Sequence, residues 1–501
     1  MLRTLRARTC EDESMSYRAL FASVAAATLL LSGCTAEEEE IPQPDRWDFH
    51  SRPDLNPPQI DIDVTSPPPK EEKDLTTFIA PKGQTAADEE SWVGGLILDS
   101  AGEPVWARQG SGQMWDLRVQ EYQDEPVLTW WEGLAQTPET AGEVVMLDDS
   151  YNEIARVGMG GDLAHKTSDL HETTITDDDT MLLLSYIKTQ TDLSSVGGAK
   201  DGWVWEGVVQ EVDIATGEPV VEWRTLDDVP VDQTESKLKD GEGTEEEPFD
   251  YIHLNSVSVD DDGKSLLVSA RNTHTIYQLD RKDADLQWVL GGSASDFEMG
   301  EGAAFAWQHD AQRRDDGKIT LFDNHAAPRL GDSRGLRLDV DEEAKRATVD
   351  TEYPAPDDRS SGSQGNFQEL DNGNVFIGWG SEPCFSEFTN DGKLLYDATF
   401  TGGSNYRAYR FDWQATPSAP PTATKSEPGE GITRVHMSWN GATEVAAWRI
   451  LSGDSEEQLT ETAVVDREGF ETAADVTPTG SRIVVEALDE NKEAIGSTTV
   501  E

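Results

Sequence analysis

The chain carries only eight histidines, and three of them recur at one position of a repeated pattern. His171 stands eight residues ahead of Asp179, before the run MLLLSY. His253 stands ten ahead of Gly263, before SLLVSAR, and His309 eight ahead of Gly317, before ITLFDN. Gln364 takes the same place nine residues ahead of Gly373, before VFIGWG. If each intervening turn closes a hairpin, all four residues begin the first strand of their unit. Folding back about Asp262 sets Arg271 opposite His253, and folding about Asp316 sets Asp323 opposite His309, beside Asn324 and His325. The same reasoning returns Tyr186 near His171 and Trp379 near Gln364. Register read this way is good to a residue or two. Imidazoles gathered with one guanidinium make a trap for an anion, because low-dielectric walls focus the field. Neutral imidazole is also a nucleophile and a proton carrier. Arg suits the oxygens of sulfate or phosphate esters. Three histidines could instead bind zinc. Against that, they lack H-x-H or H-x-x-x-H spacing and an Arg in the same mouth opposes a dication, so no metal and no cofactor is expected.

The elements that must gather these side chains are strands. From about Trp92 the chain repeats an apolar strand, a polar gap, a second apolar strand, an Asp-Gly type of turn and a strand with Trp or Tyr. Lys264–Gly292 is the clearest copy, and Met181–Trp223, ITLFDN with GLRLDVDEEAKRATV, VFIGWG with CFSEFTNDGKLLYDATF, and EPVLTWW with VVMLDDSYNEIARV are others. A partial copy, GGLILDSAGEPVW, begins the series and could be completed by strands from the far end. Apolar alternation with closely spaced turns means antiparallel β-structure, and units of this size with four strands each are propeller blades. The expected fold is all-β: a six-bladed β-propeller over residues 90–413, with a stacked β-sandwich as the main alternative. The innermost strands line the channel, so the histidines converge at one mouth. Pro417, Pro420 and Pro421 mark a linker over 414–422. Alternation in RVHMSW and VAAWRIL then suggests a small fibronectin-III or immunoglobulin-like sandwich over 423–501, with Trp439 or Trp448 at its core and His436 structural.

Ile252–Arg281, Trp288–Gly292, Trp307–Asn324, Asn366–Phe388 and Tyr406–Trp413 together resemble the arylsulfotransferases that use aryl sulfates directly. The resemblance covers roughly residues 90–413. It implies a propeller with its site in the channel mouth and a ping-pong reaction needing no nucleotide donor. A sulfuryl group would pass from an aryl sulfate to a histidine, then to a phenolic acceptor. On that resemblance His309, in W-Q-H-D-A, is the nucleophile that becomes sulfohistidine. His253 in I-H-L-N-S and Arg271 in S-A-R-N hold the sulfuryl oxygens. His171 in L-H-E handles the proton of the phenol oxygen. Asn324, Tyr186 and Trp379 are expected to bind substrate. Two other readings stay open: a propeller that binds a ligand or partner without turnover, and a metal-assisted hydrolase.

The rest of the sequence sets the surroundings. Its 98 acidic and 40 basic residues give a formal charge of −58. That excludes nucleic acid as a partner, since binding a phosphate backbone needs a basic footprint. A solvated exported surface, or adaptation to high salt, accounts for such acidity. Ala19–Leu31 is an apolar run too short to span a bilayer, and it ends in Leu31-Ser32-Gly33-Cys34, which resembles a bacterial lipobox. That implies a signal peptide over 1–34, cleavage before Cys34 and acylation of its thiol, with Met15 a more natural start than Met1. The expected location is an exported, membrane-anchored lipoprotein whose only membrane contact is the lipid. Residues 35–90, with Glu37–Glu40 and eight prolines between Pro42 and Pro69, read as an acidic tether. With Cys10 and Cys34 outside the folded part, Cys384 has no intramolecular partner.

Overall fold

Six four-stranded antiparallel sheets follow one another along the chain in a computed structural model that describes residues 46–60, 75–82, 92–110, 113–135, 141–260, 263–325, 331–400, 404–429 and 431–500. The expected leader and lipobox-like segment, with Cys34, lie outside the described residues. The second sheet runs from Gln113 to Val157, the third from Thr173 to Arg224, and the fourth from Leu254 to Gly291. The fifth runs from His309 to Pro354, with Glu298–Met299 added in parallel at its edge, and the sixth from Asn366 to Thr399. Each is a simple meander. The first differs: Thr76–Ile79, Gly94–Leu98 and Pro104–Gln109 are completed by Tyr409–Phe411, which pairs with Thr76–Phe78 across more than three hundred residues.

The apolar runs of the second strands are explained by burial on both faces. Leu182, Leu184 and Tyr186 pack toward the fourth sheet, while Met181 and Leu183 between them pack toward the second. In the fourth sheet Leu266 and Val268 face the third, and Leu267 faces the fifth. Apolar cores of this kind join the first sheet to the second, and so on to the sixth, and a last one joins the sixth back to the first through Phe376, Tyr396, Leu96 and Ile79. The first strands are shorter and more polar, as in Thr173–Ile175, His309–Arg313 and Asn366–Glu369.

Pro81–Lys82 pairs with Ser404–Asn405, and the other remaining strands form a three-stranded and a four-stranded sheet within residues 422–499, sharing a core of Val435, Met437, Trp448, Ile450 and Val485, with Trp439 also buried. This part rests on the first two sheets. Asn440 exchanges two hydrogen bonds with the backbone of Ala107, and the Tyr151 hydroxyl donates to the Gly441 carbonyl. The tether expected over 35–90 needs correction where the chain is described. Phe49, Leu55 and Ile60 are buried in the core between the sixth and first sheets, and Thr76–Ile79 is an interior strand. The proline and acid content of the stretch conceals apolar side chains spaced widely enough to bury one by one. No helix among the described residues is long and apolar enough to cross a membrane.

Candidate active site

The first strands all run the same way from one end of the ring of sheets, and their starting residues come together. His171 precedes the first strand of the third sheet, His253 that of the fourth, and His309 opens that of the fifth. The rings of His171 and His253 meet edge to face with centroids 5.0 Å apart. The Gln364 N–H, ahead of the first strand of the sixth sheet, donates to His309 Nε2 at 3.0 Å. Backbone form helps to place them: His253, Asp310 and Gln364 all sit at positive φ, a conformation that costs a non-glycine residue and is held by its surroundings.

The three imidazoles differ in what they face. His171 Nδ1 lies 2.5 Å from Asp169 Oδ1, and His253 Nδ1 lies 2.6 Å from Asp250 Oδ2. His309 Nδ1 instead meets two uncharged acceptors, Asn324 Oδ1 at 2.7 Å and the Trp307 carbonyl at 3.0 Å. Two acceptors on Nδ1 and a backbone donor on Nε2 assign the proton to Nδ1 and the lone pair to Nε2. Asn324 is fixed by donating to the carbonyls of Ser361 and Gln364.

Burial lowers the His309 pKa well below the usual value, and the charge of Arg271 adds to the effect. Burial lowers His171 as well, with Asp169 opposing it. Burial alone would raise the Asp250 carboxyl, but the neighbouring His253, Arg271 and His171 hold it below its ordinary value. Arg271 stacks its guanidinium on Trp307, 4.7 Å from the ring centroid, and donates to Asn272 Oδ1 at 3.1 Å. Its Nε is buried without a hydrogen-bond partner. The site therefore holds one neutral nucleophilic nitrogen beside two carboxylate-backed imidazoles and a guanidinium with spare donor capacity. Such a set can attack and steady an oxyanion centre.

Of the expected residues, His171, His253, His309, Arg271 and Asn324 are gathered here. Arg271 pairs with His253 as expected, its N–H donating to the His253 carbonyl. Tyr186 is also present, its ring 6.4 Å from that of His253 and its hydroxyl on the Leu254 carbonyl. Two expectations need correction. A register shift between His309 and Gln312 places Phe322, not Asp323, opposite His309. Trp379 is fully buried, edge to face with Phe322 and with its indole N–H on Ser386 Oγ, so it packs in the core between the fifth and sixth sheets rather than beside the histidines.

Other groups were missed. Asp169 and Asp250 stand two and three residues ahead of their histidines, a spacing legible in D-L-H and D-Y-I-H. The Tyr406 hydroxyl donates to the His171 carbonyl. Lys82 lies buried over the Trp115 ring, 3.1 Å from its centroid, and donates to Gln364 Oε1. Beneath the histidines, fully buried Arg407 contacts Asp116, Glu172 and Asp310, joining the inner strands. A cavity of about 750 Å³ opens at the other ends of those strands, lined by Arg118, Gln120, Gln312 and Arg314, and it contains none of these histidines.

Comparison with known proteins places the chain. Among solved structures it is similar to a periplasmic gluconolactonase from Pseudomonas aeruginosa, with 14% identity, TM-score 0.38, 81% of this chain and 100% of that one covered. It is similar also to a Bacteroides caccae protein of unknown function, with 12% identity, TM-score 0.39 and coverage of 67% and 98%. Likenesses this distant carry no argument about function. No curated protein matches. Residues 118–401 match the family model described as arylsulfotransferase (ASST). That match spans more than half of the sequence and includes His171, His253, Arg271, His309 and Asn324, so the chain belongs to the arylsulfotransferase (ASST) family and is, in general terms, a sulfotransferase of aryl compounds.

Proposed function

We propose that this protein moves a sulfuryl group from an aryl sulfate to a phenolic acceptor in two steps, through a sulfohistidine formed at His309. The observation that carries the reading is the contrast in ring partners: an amide behind His309, carboxylates behind His171 and His253. An amide holds the proton on Nδ1 and the lone pair on Nε2 of His309 without adding charge, whereas the Asp169 carboxylate opposes the lowering that burial imposes on His171.

In the first step Nε2 attacks sulfur. The N–S bond forms as the bond from sulfur to the aryl oxygen breaks, and the departing oxygen takes a proton from His171. Arrival of an anionic donor favours the imidazolium form that this requires. Arg271 and His253 steady the three sulfuryl oxygens, as in phosphoryl transfer, where positioning and charge stabilisation supply most of the catalysis. In the second step the acceptor phenol gives its proton to His171, its oxygen attacks sulfur, and the N–S bond breaks to restore the Nε2 lone pair. Protons balance over the cycle.

The six sheets and their cyclic cores support reading the body as a six-bladed propeller closed by Tyr409–Phe411, with a β-sandwich after it. The lipobox-like Leu31–Cys34 supports an exported lipoprotein anchored through Cys34. A second reading, binding without turnover, is favoured by one contact: the Gln364 N–H occupies the Nε2 lone pair. Catalysis requires that donor to leave Nε2 and turn to a sulfuryl oxygen.

The deciding experiment supplies 4-nitrophenyl sulfate with and without a phenol, across roughly pH 6 to 9 and a range of salt. Acceptor-dependent release of nitrophenolate is expected, with one sulfuryl group trapped on the His309 peptide when the acceptor is left out. Absence of release sinks the enzyme reading for this donor, and release that survives His309→Ala sinks the nucleophile.

A further inference from the structure

Far from the channel mouth, three side chains from distant parts of the sequence meet where residues 46–60 lie against the C-terminal sheets. They are His50, His436 and Glu471, and their ligand atoms all fall within 4.8 Å of one another. We propose that they form a zinc-type divalent metal site, with Nδ1 of both histidines and one Glu471 oxygen as protein ligands and water in the fourth position.

The separations fit such an ion. Bonds of about 2.0–2.1 Å in a tetrahedral shell put neighbouring donor atoms about 3.3–3.5 Å apart. Glu471 Oε1 is 3.3 Å from His436 Nδ1 and 3.6 Å from His50 Nδ1. The donor set, two imidazoles and a carboxylate with one open position, is one that zinc takes.

The outer nitrogen of the buried ring is placed as a metal-ligating imidazole needs. His436 Nε2 lies 3.3 Å from Ser426 Oγ, and a proton on Nε2 donated to that hydroxyl leaves the Nδ1 lone pair for an ion, as ligating histidines commonly hold their other ring nitrogen. Nδ1 itself faces Glu471 Oε1.

The surroundings are built to hold the carboxylate. The Ser51 N–H and hydroxyl both donate to Glu471 Oε2 at 2.5 Å, and the His50 N–H donates to Oε1 at 3.2 Å. Thr424 Oγ1 donates to the His50 carbonyl at 3.0 Å, which fixes the backbone under the exposed ring. The two imidazoles lie parallel, 4.3 Å apart with a 9° interplanar angle, so their lone pairs do not yet converge. His50 has a side chain 61% exposed and is the ring that turns. Its exposure also leaves an entry path for the ion and room for the water. A metal there would staple the N-terminal segment to the C-terminal sheets.

The test uses the purified full-length chain, stripped with a chelator and titrated with Zn²⁺, and separately with Co²⁺ as a spectroscopic reporter. One equivalent is expected to bind, with visible bands of four-coordinate Co²⁺ and a rise in the melting temperature. His50→Gln, an exposed change that leaves the fold intact by circular dichroism, should weaken binding by at least about 100-fold, and Glu471→Gln should do the same. Equal binding by the parent and His50→Gln assigns the metal elsewhere, such as the channel-mouth histidines, and overturns the proposal. Failure of the parent to bind either ion overturns it as well.

Discussion

His309 turns its Nδ1 onto the side-chain oxygen of Asn324 at 2.7 Å, while its Nε2 receives the Gln364 N–H at 3.0 Å. The amide fixes the tautomer without adding charge. With Asn324→Ala the ring keeps only the Trp307 carbonyl on Nδ1, the Gln364 carbonyl loses its Asn324 donor and the Ser361 carbonyl keeps only Ser333 Oγ. A loss of about 10- to 100-fold in kcat/KM is expected, on the scale seen when partners that orient a functional histidine are removed. A change confined to melting temperature, with kcat/KM intact, would contradict the positioning role.

The pH profile provides a second check. Burial and the Arg271 charge lower the His309 pKa well below the ordinary value, so its nucleophilic form persists as pH falls through about 6.5. The acid limb of kcat/KM should therefore lie below that value. Arg271→Gln removes a nearby cation, which makes the imidazolium easier to form, so the limb should move to higher pH while the rate also drops. Stability carries the same sign. His171 and His309 both have lowered native pKa values, so below about pH 6.5 the unfolded chain binds more protons and stability drops as pH is lowered. A limb that stays in place in Arg271→Gln would remove the electrostatic link between the two residues.

For His171 the test is the leaving group. Its Nδ1 is committed to Asp169, which leaves Nε2 as the nitrogen for a phenol oxygen. A general acid matters most when the departing oxygen is basic. His171→Gln should cost about 10²–10⁴-fold with an unsubstituted phenyl sulfate and far less with 4-nitrophenyl sulfate, whose phenolate leaves readily. A uniform loss across a series of aryl sulfates would assign His171 to binding.

Much of this site is legible in the residues and their spacing, and the places where counting fails have definite causes. The phase of His171, His253 and His309 survives because each begins the same strand of a repeating sheet. Hairpin counting about Asp262 reaches Arg271 from His253 because a one-residue shift between Leu254 and Ser256 brings that end of the hairpin onto the counted register. It misses by one at His309 because a register shift follows immediately, with Asp310 at positive φ. It finds the neighbourhood of Trp379 but not its direction, since adjacent strand residues face opposite sides of a sheet. Lys82 and Tyr406 are invisible to counting, because the ring of sheets is closed by its two ends. Strand Thr76–Ile79 meets Tyr409–Phe411 only through that closure.

Cys384 should prove inert. Burial pushes its thiol up to about 12, with Arg359 pulling slightly the other way. Little thiolate is then present at neutral pH, and thiolate is the reacting form. With Cys10 and Cys34 replaced by Ser, native protein treated with an aromatic disulfide reagent should release no thiol signal, and one equivalent should appear on unfolding. Rapid labelling of the folded chain would mean that the fifth and sixth sheets open readily where Trp379 and Cys384 pack.

The closing of the ring can be tested at Arg407. This fully buried guanidinium lies 3.2 Å from Asp116 and Glu172 and 3.8 Å from Asp310, and it donates to the Asn255 carbonyl at 3.3 Å. Those partners belong to the second, third, fifth and fourth sheets, while Arg407 itself leads into the strand that completes the first. Arg407→Met keeps much of the volume and removes the charge, leaving three carboxylates with Arg118 as the remaining nearby cation. A loss of about 3–5 kcal/mol is expected, the cost of uncompensated buried charge. The sign with pH separates this from packing. Burial would raise the Asp116 carboxyl, but Arg118 and Arg407 hold it below its usual value, so the parent keeps that contribution until pH falls through the lowered pKa. In Arg407→Met the Asp116 carboxyl protonates at higher pH, which relieves the unpaired charge. The difference between variant and parent in denaturant unfolding should therefore shrink as pH is lowered, and a difference that stays constant would mean that shape rather than charge is what Arg407 supplies.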